Sequence, residues 1–160
     1  MRLLVLGNGG SGKSTFARLL SEKTGVPCTE LDKVFWSADL RPTPLQNWIE
    51  LQERLTAEPN WILDGDLGPF DNLNVRLAKA DGVVLFDLPT RVCLWRAFRR
   101  SREGLDFWRW VITWRRKFRP DILRAIKERS SAELFVIKNQ ADAKLVFDHL
   151  QVTDVGACRH

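Results

Sequence analysis

The chain has 160 residues and a net charge of +5 at pH 7. That length suits one domain with a proper core, and an ordinary apolar content without internal repeats or low-complexity segments excludes disordered and repeat architectures. The longest apolar runs, Leu3–Leu6 and Val83–Phe86, are far too short to cross a bilayer, and the chain enters its first strand with no signal-peptide pattern. Cys28, Cys93 and Cys158 are odd in number, widely spaced and without a C-x-x-C pair. They read as reduced thiols of a cytoplasmic protein, neither a disulfide framework nor zinc ligands.

The first expected strand, 2–6, runs into Gly7-Asn8-Gly9-Gly10-Ser11-Gly12-Lys13-Ser14, and a helix is expected over 13–24. This is the strand–loop–helix setting in which G-x-x-x-x-G-K-[ST] cradles a triphosphate. Glycines allow a concave backbone whose N–H groups converge on phosphate oxygens, and the start of the helix adds positive potential there. Lys13 is expected to bridge the β- and γ-phosphates, and the Ser14 hydroxyl to complete a Mg²⁺ shell. Gly7, Gly9, Gly10, Ser11, Gly12, Lys13, Ser14 and Thr15 form the expected nucleotide-binding set, with ATP and Mg²⁺ as the implied cofactors.

Further strands are expected at 28–31, 61–64, 82–87 and 133–138. Helical spacing fills 45–57, 72–79, 90–101, a long stretch over 107–128, and 141–150, with Asp71 and Thr90 as caps. Arg119-Pro120 should break or kink the long stretch, because proline disfavours helical geometry in the residue before it. Residues 151–160 lack periodicity and read as a loose tail. Alternating strands and helices predict a three-layer α/β/α domain over 1–160 with a five-stranded parallel sheet. Ligands of such sheets sit beyond the carboxyl ends of the strands, where Asp32, Asp64-Gly65-Asp66 and Asp87 fall.

Charge is uneven. Between Arg91 and Arg129 thirteen Arg or Lys oppose four acids, a net +9, so the remainder of the chain carries −4. Phe107, Trp108, Trp110, Trp114 and Phe118 interleave with Arg109, Arg115, Arg116 and Arg119 there. One reading is a stacking platform for single-stranded nucleic acid. The other, favoured by the i, i+4, i+8 spacing of Trp110, Trp114 and Phe118, is a helix packing one stripe on the core or lid. His149 reads as a surface residue of the last helix, and His160 lies in the tail.

The phosphate loop, Asp64-Gly65 and the run Ala80-Asp81-Gly82-Val83-Val84-Leu85-Phe86-Asp87-Leu88-Pro89 together resemble the adenylate kinase-like P-loop proteins. Glu30 to Trp36, Trp61 to Asp66 and Val92 to Arg100 make the chain most similar to the bacterial topology modulation (FlaR-like) group. The resemblance covers most of the chain to about residue 102, then Trp114–Pro120 and the last strand and helix. It implies a nucleoside monophosphate kinase-like fold with a lid at about 100–120. It also implies that Arg96 and Arg100 are the R-x-x-x-R pair of the helix leading into the lid, one near the base and one at the phosphates. Arg102 lies close enough to such a lid to contribute. Spacing agrees, since i and i+4 share a helix face. Asp64 matches the acid that holds a magnesium-bound water, and Lys138-Asn139-Gln140 the loop whose backbone meets adenine. In the related shikimate and gluconate kinases an aspartate at the position of Asp32 orients a substrate hydroxyl; the alternative for Asp32 is a turn or cap carboxylate.

Asp87 ends an apolar strand in the shape of a Walker B motif and is the alternative to Asp64, while Asp66 reads as a turn residue between two glycines. The chain departs from adenylate kinases at Gly65-Asp66-Leu67-Gly68, where those enzymes place an arginine on the acceptor phosphate. Arg41 and Arg76 are the candidates to replace it. The sequence therefore points to an ATP-dependent phosphotransferase with Lys13, Arg96, Arg100 and Asp32 as catalytic residues. Ser14 and Asp64 are its metal-binding residues, and Asn139 stands at the base. The partners implied are ATP and a small-molecule or nucleotide acceptor. The competing expectation is an ATP-binding regulatory protein acting on nucleic acid; a GTPase-type switch is disfavoured, since no N-K-x-D motif is present.

Overall fold

A computed structural model describes residues 1–37, 41–68, 71–100, 104–129 and 131–157, with side chains for all of these except 100, 129 and 153–157. Strands β1 (Arg2–Gly7), β2 (Cys28–Glu30), β3 (Trp61–Asp64), β4 (Gly82–Phe86) and β5 (Glu133–Ile137) form one sheet in the order β2-β3-β1-β4-β5. Every neighbouring pair is parallel. Parallel neighbours require crossovers, and helices supply them. These are α1 (Lys13–Thr24), α2 (Leu31–Phe35), α3 (Leu45–Leu55), α4 (Leu73–Leu77), α5 (Thr90–Arg100), α6 (Leu105–Lys117), α7 (Arg119–Arg129) and α8 (Gln140–Ala157).

The period of two along each strand divides the core into two layers. Leu4, Leu6, Leu63, Val83 and Leu85 face one way and pack with Leu31, Phe35, Trp48, Leu77, Ile122 and Ile126. Leu3, Val5, Ile62, Val84 and Phe86 face the other way and pack with Phe16, Ala17, Leu20, Cys93 and Leu150. Apart from Arg2 at the start of β1 and Asp64 at the end of β3, the three middle strands are apolar because both of their faces are covered, each large apolar side chain contributing about 1.5–3 kcal/mol. Edge strand β5 is exposed at Glu133 and Leu134 and buried only at Ile137. Helix α6 supplies Val111 to one layer and Trp114 to the other, so it lies across the end of the sheet rather than on either face.

The architecture is the expected three-layer α/β/α fold, with the expected break beside Pro120 and three local differences. Strand β2 stops at Glu30, and Leu31 begins a one-turn helix that buries Leu31 and Phe35, a pattern too short to stand out from sequence. Asp71 caps nothing: Asn72 precedes α4 without a side-chain cap, and the Asp71 carboxylate is taken by Arg76. The expected tail is helical as far as Ala157. Among the residues whose side chains are described, Leu150 is the last buried one and Val152 is already 74% exposed. The long stretch over 107–128 is two helices, with Phe118 between them and Pro120 in the first turn of α7, where a missing N–H is harmless. Arg102, Cys158 and His160 lie outside the described residues.

Candidate active site

The phosphate loop connects β1 to α1 at the carboxyl end of the sheet's central strand. Its shape depends on glycine at two close approaches. A Cβ on Gly7 would stand 2.7 Å from Cβ of Phe86, and one on Gly10, at φ 76°, would stand 2.3 Å from the Cys93 carbonyl oxygen. Helix α1 begins after Gly12 with no acidic residue in its first turn, so its positive end is left free for an anion. Ser11 donates its backbone N–H to the Asn8 carbonyl at 3.2 Å, closing the turn. The Ser11 hydroxyl is buried and has no hydrogen-bond partner.

Two elements hold this loop from above. Asn8 accepts from the Gly9 N–H at 2.8 Å and donates through Nδ2 to the Val111 carbonyl of α6 at 2.9 Å. Arg96 of α5 donates from Nη1 to the Ser11 carbonyl at 3.2 Å. The Phe107 and Trp110 rings lie where a Cβ on Gly9 would come within 2.9 Å of each, so this glycine admits α6. The Trp110 indole also reaches the loop after β3, with Nε1 3.2 Å from the Cβ that Gly68 lacks. Trp110 therefore spans the gap between the two loops. Neither Asn8 nor Trp110 was expected in the site. An asparagine at a variable position of the motif gives no signal, and a tryptophan on a core stripe reads only as packing.

Lys13, Ser14, Asp32 and Asp64 come together beside the loop. Lys13 is nine-tenths buried at the start of α1. Asp64 closes β3 with 3% exposure, and its Oδ1 is buried without a partner. Burial pushes the Asp64 carboxyl up, against the opposing pull of Lys13 and of a hydrogen bond from the Ser14 hydroxyl. Asp32 opens α2, whose start is pressed against Gly65: a Cβ there would stand 3.1 Å from Cβ of Leu31 and 3.8 Å from the Asp32 nitrogen. The Asp32 side chain still reaches solvent, yet the surrounding protein raises its carboxyl. Lys13 pulls the other way, and Asp64, Glu30 and Asp71 push it further up.

The remaining expected residues separate. Thr15 is exposed on α1. Arg100 ends α5, and its side chain lies outside the described residues. Asn139 caps α8, accepting from the Asp142 N–H at 3.0 Å, while Asp142 accepts from the Lys138 N–H at 2.9 Å. Beside it opens a cavity of about 470 Å³ between α1 and α8, lined by Phe16, Leu19, Gln140, Ala143, Lys144 and Phe147. Phe16 stands one helical turn from Lys13. Among the described residues no cluster of three or more His, Cys, Asp or Glu forms a metal cage, and no helix is long and apolar enough to cross a membrane.

The other acids are engaged. Asp87 is ion-paired with Arg119 at 2.7 Å and Arg115 at 3.5 Å, which ties the α6–α7 elbow to the end of β4. Asp66 is more than a turn residue. Its Oδ1 accepts from the Gly68 N–H, and its Oδ2 accepts from the Trp114 indole at 2.6 Å in a buried setting. Arg76 is fully buried, forked onto Asp71 at 2.7 Å and bonded to Gln52 at 2.6 Å, so it cannot reach an acceptor. Arg41 is exposed. Trp114 and Trp110 turn inward and Trp108 is half-buried, which fits packing rather than a row of open stacking faces.

No protein-family model and no curated protein matches this chain. Solved structures do. A sugar kinase from Janibacter sp. HTCC2649 aligns with a TM-score of 0.61 at 19% identity, over 95% of this chain and 93% of that one. Shikimate kinase from Acinetobacter baumannii, in complex with shikimate, aligns at 0.60 and 17%, over 100% and 96%. Deoxyadenosine kinase from M. mycoides with bound dATP aligns at 0.58 and 16%, over 94% and 99%. At such identities the likeness defines the fold, which is that of the P-loop kinases.

Proposed function

We propose that this chain is an ATP-dependent phosphotransferase whose acceptor is a small molecule or nucleotide. The observation that carries the reading is the convergence of Lys13, Ser14, Asp64 and Asp32 around a glycine loop at the start of α1. In this reading the triphosphate lies on the loop, and its base enters the α1–α8 groove beside Asn139 and Gln140. Arg96 sits on the loop backbone, within reach of the phosphates, and Arg100 follows one turn along α5. The residues fit a magnesium ion: the Ser14 hydroxyl and the Asp64 carboxylate are hard oxygen donors, and the Asp64 Oδ1 has no protein partner. Bound there, the ion would neutralise charge shared by the β- and γ-phosphates.

Lys13 supports the charge of the transferring group from the loop side. The acceptor hydroxyl oxygen forms a bond to the γ-phosphorus as the bond from that phosphorus to the β-phosphate bridging oxygen breaks, releasing ADP. The hydroxyl proton passes to the Asp32 carboxylate, which burial makes a stronger base than an ordinary aspartate. Such catalysis is mainly positioning and electrostatics, and one well-placed arginine can supply about 10³–10⁵ in rate.

A second reading, an ATP-binding regulatory protein acting on nucleic acid, is favoured by one observation. The outer face of α5 exposes Trp95 and Phe98 at 59% and 76%, with the Arg99 guanidinium 4.8 Å from the Trp95 ring. The narrower likeness to the topology modulation group, carried by the Trp and Arg-Arg segments, belongs to this reading. Acceptor-stimulated ADP release in the presence of Mg–ATP, with Lys13→Ala protein as the blank, separates the two. Turnover that Lys13→Ala abolishes supports the phosphotransferase. ATP binding without stimulation by any acceptor shifts the weight to the regulatory reading, and turnover unchanged in Lys13→Ala removes both.

A further inference from the structure

We infer that the acceptor of this site is an uncharged or cationic polyhydroxyl compound of sugar or nucleoside type, bearing neither a phosphate nor a carboxylate. The inference rests on the phosphotransferase reading and narrows it. Beyond the loop, the space bounded by the ends of β2 and β3 is lined with acids. Glu30 and Asp64 stand in register on neighbouring parallel strands, and Asp32 follows on the turn pressed against Gly65.

The described cations around these acids are already committed. Arg76 is buried and divided between Asp71 and Gln52, and Lys33 lies 2.8 Å from Glu30. Lys13 belongs to the phosphates of the donor. Asp64, at 3% exposure, keeps a buried Oδ1 with no partner, which the magnesium ion would take, so the exposed Asp32 is the acid left to face the acceptor. A phosphate or carboxylate brought here would meet the Asp32 charge and find no uncommitted cation among the described residues around it. Hydroxyl and amine groups would find acceptors instead.

The far wall has the matching character. Trp110 spans from Gly9 to Gly68, and the Phe118 ring stands 3.3 Å from the Cβ that Gly68 lacks. Both rings are partly buried, and the part left uncovered suits a ligand with an apolar ring face and polar edges. A sugar or nucleoside has that form, and an ammonium group would add attraction to the rings.

The test uses the full chain with Mg–ATP and two acceptor panels at equal concentration. One holds neutral and amine-bearing sugars and nucleosides; the other holds nucleoside monophosphates, sugar phosphates and hydroxy acids. ADP release reads turnover, and calorimetry reads ATP binding separately. The expected result is stimulation by the first panel, with kcat/KM at least ~100-fold above that of the matching anionic compounds. Asp32→Asn should then keep ATP affinity and lose the acceptor-dependent release. Preference for the anionic panel would overturn the inference and leave the phosphotransferase standing. Silence from both panels with ATP bound would overturn both.

Discussion

The proposed donor side and the proposed acceptor side of this site are built from different materials. The phosphate loop presents backbone: N–H groups, a helix start and glycines packed against Phe86, Cys93 and the rings of α6. The acceptor side presents side-chain charge, with Asp32 and Asp64 left open and Asp71, Glu30 and their cations paired off. The loop is therefore sensitive to added volume, where a single methyl group has no room. The acceptor side is sensitive to charge, where a change of one proton alters what can bind.

Four substitutions would break or sharpen this contrast. Trp114→Ala is expected to have the largest effect, about 3–5 kcal/mol of stability in urea unfolding. It empties a site with 1% exposure and strips the buried Asp66 of its indole donor. A stable variant that loses nucleic-acid binding would instead favour the stacking platform. Next comes Gly10→Ala compared with Gly25→Ala. Both glycines have φ 76°, but a Cβ on Gly25 meets nothing within 4 Å, whereas one on Gly10 runs into the Cys93 carbonyl. Gly25→Ala should cost only the left-handed strain, roughly 1–2 kcal/mol. Gly10→Ala should cost more and weaken ATP binding by at least about tenfold, about 1.4 kcal/mol, read by calorimetry. Equal costs would show that the α5 contact does not shape the loop.

The smallest effect is expected from Asp66→Asn. Burial raises the Asp66 carboxyl, so the folded state holds more protons than the unfolded state as pH rises above the ordinary carboxylate value. Its stability contribution is therefore greatest in acid and falls as pH climbs through the raised folded value. Asp66→Asn removes that share of the slope. Unfolding free energies at pH 5 and pH 7 should differ less in the variant than in the parent; an unchanged difference would place the titration elsewhere.

The same contrast explains what could be read in advance. A backbone site announces itself, because only Gly7, Gly10 and Gly12 with Lys13 and Ser14 can make that turn, and the sheet around it follows from its apolar runs. Asp32 and Asp64 are legible as candidates because strand ends set where ligands lie. The commitment of Arg76 to Asp71 and Gln52 was hidden, since it depends on α3 and α4 meeting in space. Trp110 was read correctly as inward-facing, but its position between two glycines 59 residues apart has no sequence signature.

The Asn8 hydrogen bond joins residues 103 positions apart in the chain. The most local-looking feature of the sequence is thus completed by a distant helix. An eight-residue graft of this motif into another scaffold would carry the glycines and the lysine without the ceiling that holds them. A fragment ending before α6 would have the same defect. During folding, the strand and helix that flank the motif can form early, but the bond from α6 to Asn8 must wait until the chain has closed over a hundred residues.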